Sequence, residues 1–236
     1  GGGVAKLAVT NCVFSGNMRH GASTSIGSGA GLHISNCAGA DVVDSLFVTN
    51  GVAFYAPRAL EIRGMSGAAL YVANPKLHCR GTRFAANCAV TYNYWEGGVV
   101  MLNGNCGGSV FENCSFAGNA ETLDSWSSGV VDNSRGYGGT LSIYLSSASQ
   151  AVALTNCTFA YNITAARCAA SGLNVARGSV KAVDCIFWGN TNGYHETEEE
   201  VAALGKLGAD DILVQTEGSV ALENVLLSSA GELCTR

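Results

Sequence analysis

A short motif recurs along the chain, and it limits what the chain can fold into more than any other feature. In its clearest form it reads Asn-Cys-x-Phe-x-x-Asn, as at Asn156–Asn162. A second pattern, small residues followed by alternating apolar ones, occurs between successive copies, as at Gly138–Ile143. Self-similarity with a period of roughly 30 to 40 residues is typical of solenoids and other repeat arrays. We therefore interpret the chain as a repeat protein in which each unit contributes two strands.

The spacing inside the motif predicts which side chains are buried. Cys157 and Phe159 are two residues apart, so in a strand they point to the same face, which must be the apolar interior. One unit cannot bury this face alone, whereas parallel stacking of units places like residues over like ones. Leu154 does not share their parity, which predicts a bend or a bulge near Asn156. The predicted core ladder consists of Phe14, Phe47, Phe84, Phe116, Phe159 and Phe187, continued by Leu227.

The asparagine that closes each copy predicts a second ladder, at one turn of every unit. Asparagine tolerates the left-handed backbone conformation that such a turn needs, and its amide can hydrogen-bond the neighbouring turn. The predicted turn ladder consists of Asn17, Asn50, Asn87, Asn119, Asn162 and Asn190.

Alternating Gly-Gly-x-Leu and Phe-x-x-Asn resembles the repeats of chlamydial polymorphic outer membrane proteins and of many secreted bacterial and algal proteins. These are similar to the right-handed parallel β-helix of the pectin-lyase-like superfamily. The resemblance covers almost the whole chain, and it implies the fold rather than an activity, because the superfamily includes lyases, glycosidases, adhesins and surface structural proteins. We expect an all-β protein, a right-handed parallel β-helix of about six to seven coils forming a single domain over 1–236.

One short helix is predicted in a late loop. Thr197-Glu-Glu-Glu200 is a capping-box pattern, Val201, Leu204 and Leu207 follow at helical spacing, and Gly208 is a stop signal. Its glutamates are typical of a solvated first turn that complements the helix dipole, rather than of a cation site.

Composition excludes several classes of function. The net charge is -5 and no basic stripe is present, which argues against nucleic-acid binding. No apolar run approaches 18 residues, so no membrane span is expected in this segment. Neither end of the sequence has a polar capping element of the kind that solenoids need, so we expect a segment of a longer protein or ends covered by neighbouring subunits.

The chain has ten cysteines and no Cys-x-x-Cys pair, so no metal site and no cofactor are predicted. Cys114, Cys157 and Cys185 share one register, and one pair of the three could be bridged. Cys79 with Cys88 is the best local pair, and Cys37 with Cys106 is a second. The alternative is that these cysteines are small apolar core residues.

Three sequons occur, beginning at Asn113, Asn156 and Asn162. Asn113 and Asn156 are predicted to face outward and to be the glycosylation sites of a secreted protein, whereas Asn162 belongs to the turn ladder and is predicted to be hidden.

Long loops are expected to project from one side of the solenoid, where solenoids usually build binding surfaces. Aromatic residues gather in these loops. Exposed aromatic faces suit sugars or a partner protein, and the alternative is that they pack the loops onto the coil. The candidate binding aromatics are Tyr92, Tyr94, Trp95, Trp126, Tyr137 and Trp188.

No catalytic residue is predicted. Cleavage of a polysaccharide needs convergent carboxylates, and no candidate pair recurs at matching register in adjacent coils. The pairs considered are Asp41 with Asp44, Asp124 with Asp132, and Asp210 with Asp211. The pectate-lyase and polygalacturonase motifs of the superfamily are not recognisable.

Two functional hypotheses follow. The first is an extracellular structural or adhesive module of a cell surface or surface appendage. Its partners would be other cell-surface proteins or glycans, with end-to-end or lateral self-assembly. The second is a carbohydrate-active enzyme, a polysaccharide lyase or glycoside hydrolase.

Overall fold

Short strands separated by turns make up the described part of the chain. The computed structural model describes residues 5–21, 28–54, 66–91, 98–123, 138–164, 170–192, 205–207, 211–228 and 233–234. The first strands are β1 (Leu7–Thr10), β2 (Val13–Ser15), β3 (Met18–Gly21), β4 (Leu32–Ser35), β5 (Ala40–Val43), β6 (Leu46–Val48), β7 (Gly51–Phe54), β8 (Leu70–Ala73), β9 (Leu77–Arg80), β10 (Arg83–Ala85) and β11 (Cys88–Thr91). The middle strands are β12 (Val100–Gly104), β13 (Ser109–Glu112), β14 (Ser115–Ala117), β15 (Ala120–Leu123), β16 (Leu141–Leu145), β17 (Ala151–Thr155), β18 (Thr158–Ala160) and β19 (Ile163–Thr164). The last strands are β20 (Leu173–Val183), β21 (Ile186–Trp188), β22 (Thr191–Asn192), β23 (Gly205–Leu207), β24 (Ile212–Glu223), β25 (Val225–Leu227) and β26 (Leu233–Cys234).

The strands stack into three sheets that curl round a common interior. Sheet A has twelve strands and contains β1, β5, β9, β13 and β17 in one half and β4, β8, β12 and β16 in the other. Sheet B runs β2-β6-β10-β14-β18-β21-β25-β26, and sheet C runs β22-β19-β15-β11-β7-β3. Each strand pairs in parallel with its equivalents in the adjacent coils, as β14 does with β10 and β18. The fold is a parallel β-helix.

The core is a column of aromatic rings lined by the inward residues of sheet A. The six phenylalanines of the motif stack face to face, with ring centroids 4.5, 5.0, 4.9, 4.4 and 4.6 Å apart. Parallel pairing in register puts each ring over the next, because Phe84, Phe116 and Phe159 are Cα partners. Leu227 pairs with Phe187 and continues the column. Stacking therefore buries an apolar surface that one coil would leave half exposed.

Left-handed residues turn the chain on both sides of the sheet B strands β2, β6, β10, β14, β18 and β21, and before β25. The first corner, between sheets A and B, has its left-handed residue at Asn11, Asp44, Gly81, Asn113, Asn156, Asp184 and Asn224. This places the predicted bend at Asn156, where φ is 50°. The second corner, between sheets B and C, has it at Gly16, Thr49, Ala86, Gly118, Tyr161 and Gly189.

The second corner corrects the expected role of the closing asparagine. The left-handed conformation belongs to the residue before each ladder asparagine, such as Thr49 before Asn50 or Ala86 before Asn87. The asparagine itself follows the turn, and its side chain points inward. At this corner the asparagine contributes the hydrogen bonds of its side-chain amide, and the residue before it adopts the left-handed backbone conformation.

The unit also contains more strands than the two expected. We number the coils from coil 1 (β1–β3). Coils 2 to 5 (β4–β7, β8–β11, β12–β15 and β16–β19) contain four strands each, because each coil crosses sheet A twice and sheets B and C once, and coil 6 begins at β20. In coil 6 the turn between the two sheet A strands is absent, so β20 runs unbroken and pairs with β16 through its first half and β17 through its second.

Two antiparallel strands interrupt the parallel pattern near the end of the described chain. β23 pairs with β24, and β26 pairs with β25. The predicted helix from Thr197 lies largely outside the described residues, but Leu207, assigned to its last turn, lies in β23, so the helical assignment of that residue is wrong. At this position the chain forms β23, which pairs with β24.

Among the described residues, no helix is long and apolar enough to cross a membrane.

Candidate functional site

The ladder asparagines form a continuous row of hydrogen bonds through the second corner. The Oδ1 atom of Asn87 accepts from both the backbone N and Nδ2 of Asn50, each at 3.0 Å. The Nδ2 atom of Asn87 then donates to Oδ1 of Asn119 and to the carbonyl of Phe47, both at 3.0 Å. The same pattern repeats at Asn50, Asn119 and Asn162. Both amide hydrogens are therefore used, and the row joins each coil to the next.

Asp211 receives the last bond of this row. Its Oδ1 accepts from Nδ2 of Asn190 at 2.8 Å, and its Oδ2 accepts from the backbone N and Oγ of Ser228, both at 2.9 Å. Asp211 is fully buried. In the candidate pair of Asp210 and Asp211, Asp211 thus has a structural role, and Asp210 lies outside the described residues.

The two outward sequon asparagines occupy neighbouring rungs of the first corner. Asn113 and Asn156 are both exposed, and Nδ2 of Asn156 donates to Oδ1 of Asn113 at 2.6 Å. Two rungs on, Nδ2 of Asn224 donates to Oδ1 of Asp184 at 3.2 Å. Asn162 is fully buried, and its Nδ2 donates to Asn190 and to the Phe116 carbonyl. Two of the three sequon asparagines are thus exposed and adjacent, and the third is enclosed.

The cysteines whose side chains are described are free thiols. Cys114, Cys157 and Cys185 are buried one above another in the first corner. Cys79 belongs to sheet A, and Sγ of Cys114 lies 3.7 Å from its Sγ. Cys106 is buried, and Cys37 and Cys88 are half-buried. The disulfide pairings stay predictions for the oxidised protein.

The buried thiols have raised pKa values, as expected of cysteines that pack in a core. A hydrogen bond with Cys114, together with burial, raises the pKa of the Cys157 thiol to about 12. Burial raises the pKa of the Cys106 thiol to about 11. Because the thiolate is the reactive form, these cysteines stay protonated and inert at neutral pH.

The outer face of sheet A carries a row of charged side chains that sequence analysis did not find. Nζ of Lys6 lies 2.7 Å from Oδ2 of Asp41, whose Oδ1 lies 3.9 Å from Nδ1 of His78. On the other side of the ring, Nε2 of His78 lies 3.3 Å from Oε2 of Glu112. The row crosses four consecutive coils and leaves an imidazole between two carboxylates. Asp41 therefore has His78 and Lys6 as partners rather than Asp44; Asp124 and Asp132 lie outside the described residues.

Glu121 is a buried carboxylate that the sequence analysis also missed. It lies on β15 with 3% of its surface exposed. Its Oε2 accepts from the backbone N of Gly139 and from Oγ1 of Thr164, the latter at 3.4 Å. Burial raises the pKa of this carboxyl to about 7, although hydrogen bonds from Gly139, Thr164 and the Gly98 backbone oppose the shift. The carboxylate ties sheet C to the glycine-containing segments that lead into sheet A.

An exposed aromatic pair lies at the second corner of coils 5 and 6. Trp188 is 46% exposed, and Tyr161, which sequence analysis did not select, is 63% exposed. They are joined through the backbone, where the N of Tyr161 donates to the carbonyl of Trp188 at 2.9 Å. Ile163 and Ile186 are exposed beside them. The remaining predicted aromatics, Tyr92, Tyr94, Trp95, Trp126 and Tyr137, lie outside the described residues.

The described residues contain no group of three or more histidine, cysteine or acidic side chains placed to hold a metal ion. Comparison with protein-family models, with curated proteins and with solved structures finds no match to this chain.

Proposed function

We propose that this chain is an extracellular structural or adhesive β-helix module of a cell surface or surface appendage. In this proposal the coil is right-handed and of the pectin-lyase-like type, with repeats like those of polymorphic outer membrane proteins. The coil supplies length and rigidity, and its surface and loops make contacts with proteins or glycans.

One observation carries the proposal, namely that the polar side chains of the described coils bind mainly to the next coil. The asparagine row, the amide pair of Asn113 and Asn156, and the ion pairs all join successive coils. Arg177 pairs with Glu217 at 2.7 Å, and Lys181 pairs with Glu223 at 3.1 Å. Groups that an enzyme would aim at a substrate are used here to hold coils together, which favours a structural role.

The location can be tested by labelling intact source cells with a membrane-impermeant amine reagent. Lys6 and Lys181 have side chains that are 61% and 62% exposed, so both amines can react. We expect labelled peptides from intact cells, with an intracellular protein as the unlabelled control. Labelling of these lysines only after lysis would contradict an extracellular location.

A second candidate is the carbohydrate-active enzyme, which the row around His78 favours. An imidazole between Asp41 and Glu112 on an open sheet face supplies acid and base groups of the kind that polysaccharide cleavage requires. A panel of polysaccharides incubated with the protein tests this candidate, with His78→Ala as the inactive variant and Lys181→Ala as the surface control. Cleavage that is lost only in the first variant would establish the enzyme.

A further inference from the structure

The outward face of sheet B changes character along the solenoid. Its two outward columns contain small residues in coils 4 and 5: Ser115 and Thr158 in one, Ala117 and Ala160 in the other. In coil 6 the same columns carry two large exposed side chains, Ile186 and Trp188, and β25 of the next coil continues the first column with Leu226. We call the area formed by the six residues of coils 4 to 6 the shelf. It is about 10 Å wide, the length of three strand residues.

Tyr161 extends the end of the shelf round the second corner. A Cβ atom placed on Gly189 would lie 2.8 Å from both Cδ1 and Cε1 of the Tyr161 ring. The ring therefore lies against the bare backbone of Gly189 in the next coil, which leaves its other face to solvent. On the opposite side, a Cβ on Gly118 would meet nothing within 4 Å. Along the solenoid axis the shelf thus lies between Arg83 of coil 3 and the exposed rings of Tyr161 and Trp188 in coils 5 and 6.

The shelf itself is uncharged. Its six outward residues carry hydroxyl, methyl, aliphatic and indole groups, and in these two columns the first charged residue towards the N-terminus is Arg83 of β10. The exposed amides of Asn113 and Asn156 line its edge at the first corner. A flat surface with aromatic rings at one end and hydroxyls and amides beside it suits a ligand with apolar faces and many hydroxyls.

We propose, building on the extracellular role proposed above, that the shelf binds a neutral glycan of another molecule. A pyranose ring has a face of C–H groups that can lie on Trp188 or Tyr161, while its hydroxyls reach Thr158 and the corner amides. The glycan runs along the solenoid axis over the small residues of coils 5 and 4. The shelf carries no cation of its own, and Arg83, beside Ser115, places a single positive charge at its coil 4 end, so an acidic polysaccharide is expected to bind more weakly than a neutral one.

The test uses the full chain produced in bacteria, so that its own asparagines are bare. Affinity electrophoresis is run in gels containing a soluble β-glucan, a galactomannan or, as the anionic comparison, polygalacturonate. We expect retardation by at least one neutral polysaccharide, about tenfold weaker binding for Trp188→Ala and a smaller loss for Tyr161→Ala. Val13→Ala removes an apolar side chain of sheet B in coil 1 that is more exposed than Trp188, and this variant should bind like the unmodified chain.

Three outcomes would overturn the proposal. The first is binding to neither neutral polysaccharide, and the second is equal retardation of Trp188→Ala and the unmodified chain. The third is a sugar-independent dimer in sedimentation velocity that Trp188→Ala dissolves, which would identify the shelf as an interface between copies. Because binding is measured on purified protein, these outcomes are independent of the labelling of cells that tests the extracellular location.

Discussion

Asn190 donates a hydrogen bond through Nδ2 to Oδ1 of Asp211 at 2.8 Å, and there the row of stacked asparagines meets a side chain that can only accept. Asn50, Asn87, Asn119 and Asn162 each accept from the coil before and donate to the coil after, whereas Asn17 is described only as a donor. The row of hydrogen bonds therefore has a direction. Its asparagines also differ in the number of hydrogen bonds that would be lost if their side chains were removed.

Removing an internal member should be far more costly than removing the first. Asn119→Ala leaves the backbone N–H and one of the two Nδ2 hydrogens of Asn87 without an acceptor in a buried corner, and the Phe84 carbonyl loses its side-chain donor. At about 1–3 kcal/mol for each buried unsatisfied group, we expect a loss of about 3 kcal/mol or more in the free energy of unfolding. Urea denaturation followed by circular dichroism measures it.

Asn17→Ala is the matched control. Asn17 is exposed and loses only its side-chain bond to Asn50, whose Oδ1 still accepts from the Asn17 backbone. Its cost should be about 1 kcal/mol or less. Equal losses for the two variants would mean that the row does not stabilise the coils.

Glu121 should make stability fall as the pH rises. Its pKa is about 7 in the folded chain, against 4.5 for an ordinary glutamate, so between these values the folded chain binds more protons than the unfolded chain. Stability from this group is full below pH 4.5 and is lost as the pH rises to about 7, a difference of roughly 3 kcal/mol.

Glu121→Gln should remove this dependence. The free energy of unfolding of the variant, measured in urea at pH 5 and pH 8, should change less than that of the unmodified chain. Glu223→Gln, which removes an exposed carboxyl paired with Lys181, controls for the loss of a carboxyl. The same pH dependence in the Glu121→Gln variant and the unmodified chain would show that the buried carboxyl is not its source.

In the reduced protein, the exposed cysteine should be alkylated before the buried cysteines. Cys12 is exposed, whereas Cys106, Cys114, Cys157 and Cys185 are buried. We expect iodoacetamide at neutral pH to modify Cys12 first and the four buried thiols only after urea is added. Burial limits access to these thiols. It also raises the pKa of the Cys106 thiol, and hydrogen bonds between cysteines, together with burial, raise the pKa values of the other three. Peptide mass spectrometry reads each site. Rapid labelling of Cys157 in the native protein would contradict its place in the core.

When the chain is expressed through the secretory pathway of eukaryotic cells, the three sequons should differ in whether they are glycosylated. A glycopeptide map should find glycan on Asn113 or Asn156 and none on Asn162, because both Nδ2 hydrogens of Asn162 are bonded inside the corner. Asn162→Gln should leave the glycan mass unchanged but destabilise the fold. Occupancy of Asn162 in folded protein would be incompatible with the turn ladder.

Features that repeat within one coil could be predicted from the sequence. Phe159 and Asn162 lie three residues apart in a motif that recurs, so the ring column and the asparagine row follow from alternation and stacking. The backbone of the corner was less predictable. Tyr161 takes the left-handed conformation in place of Asn162, although a tyrosine gives no local signal for it.

Contacts between coils were missed because they depend on register over variable spacing. Equivalent ladder asparagines are separated by 33, 37, 32, 43 and 28 residues. Asp41 and His78 are Cα partners only because coils 2 and 3 are aligned by their turns. Glu121 replaces an inward Ala89 of the previous coil, and only the assembled corner reveals the donors that surround it.

The direction of the asparagine row also bears on how such a chain can lengthen in evolution. A duplicated coil with Phe-x-x-Asn would present the same acceptor to the coil before it and the same donors to the coil after it, so a gene could gain or lose whole internal coils without redesigning their neighbours. A copy of the coil that contains Asp211 would place a carboxylate in mid-row, where it has no hydrogen to pass on. Growth of the solenoid by duplication is thus favoured among coils 2 to 6 and blocked at the coil of Asp211.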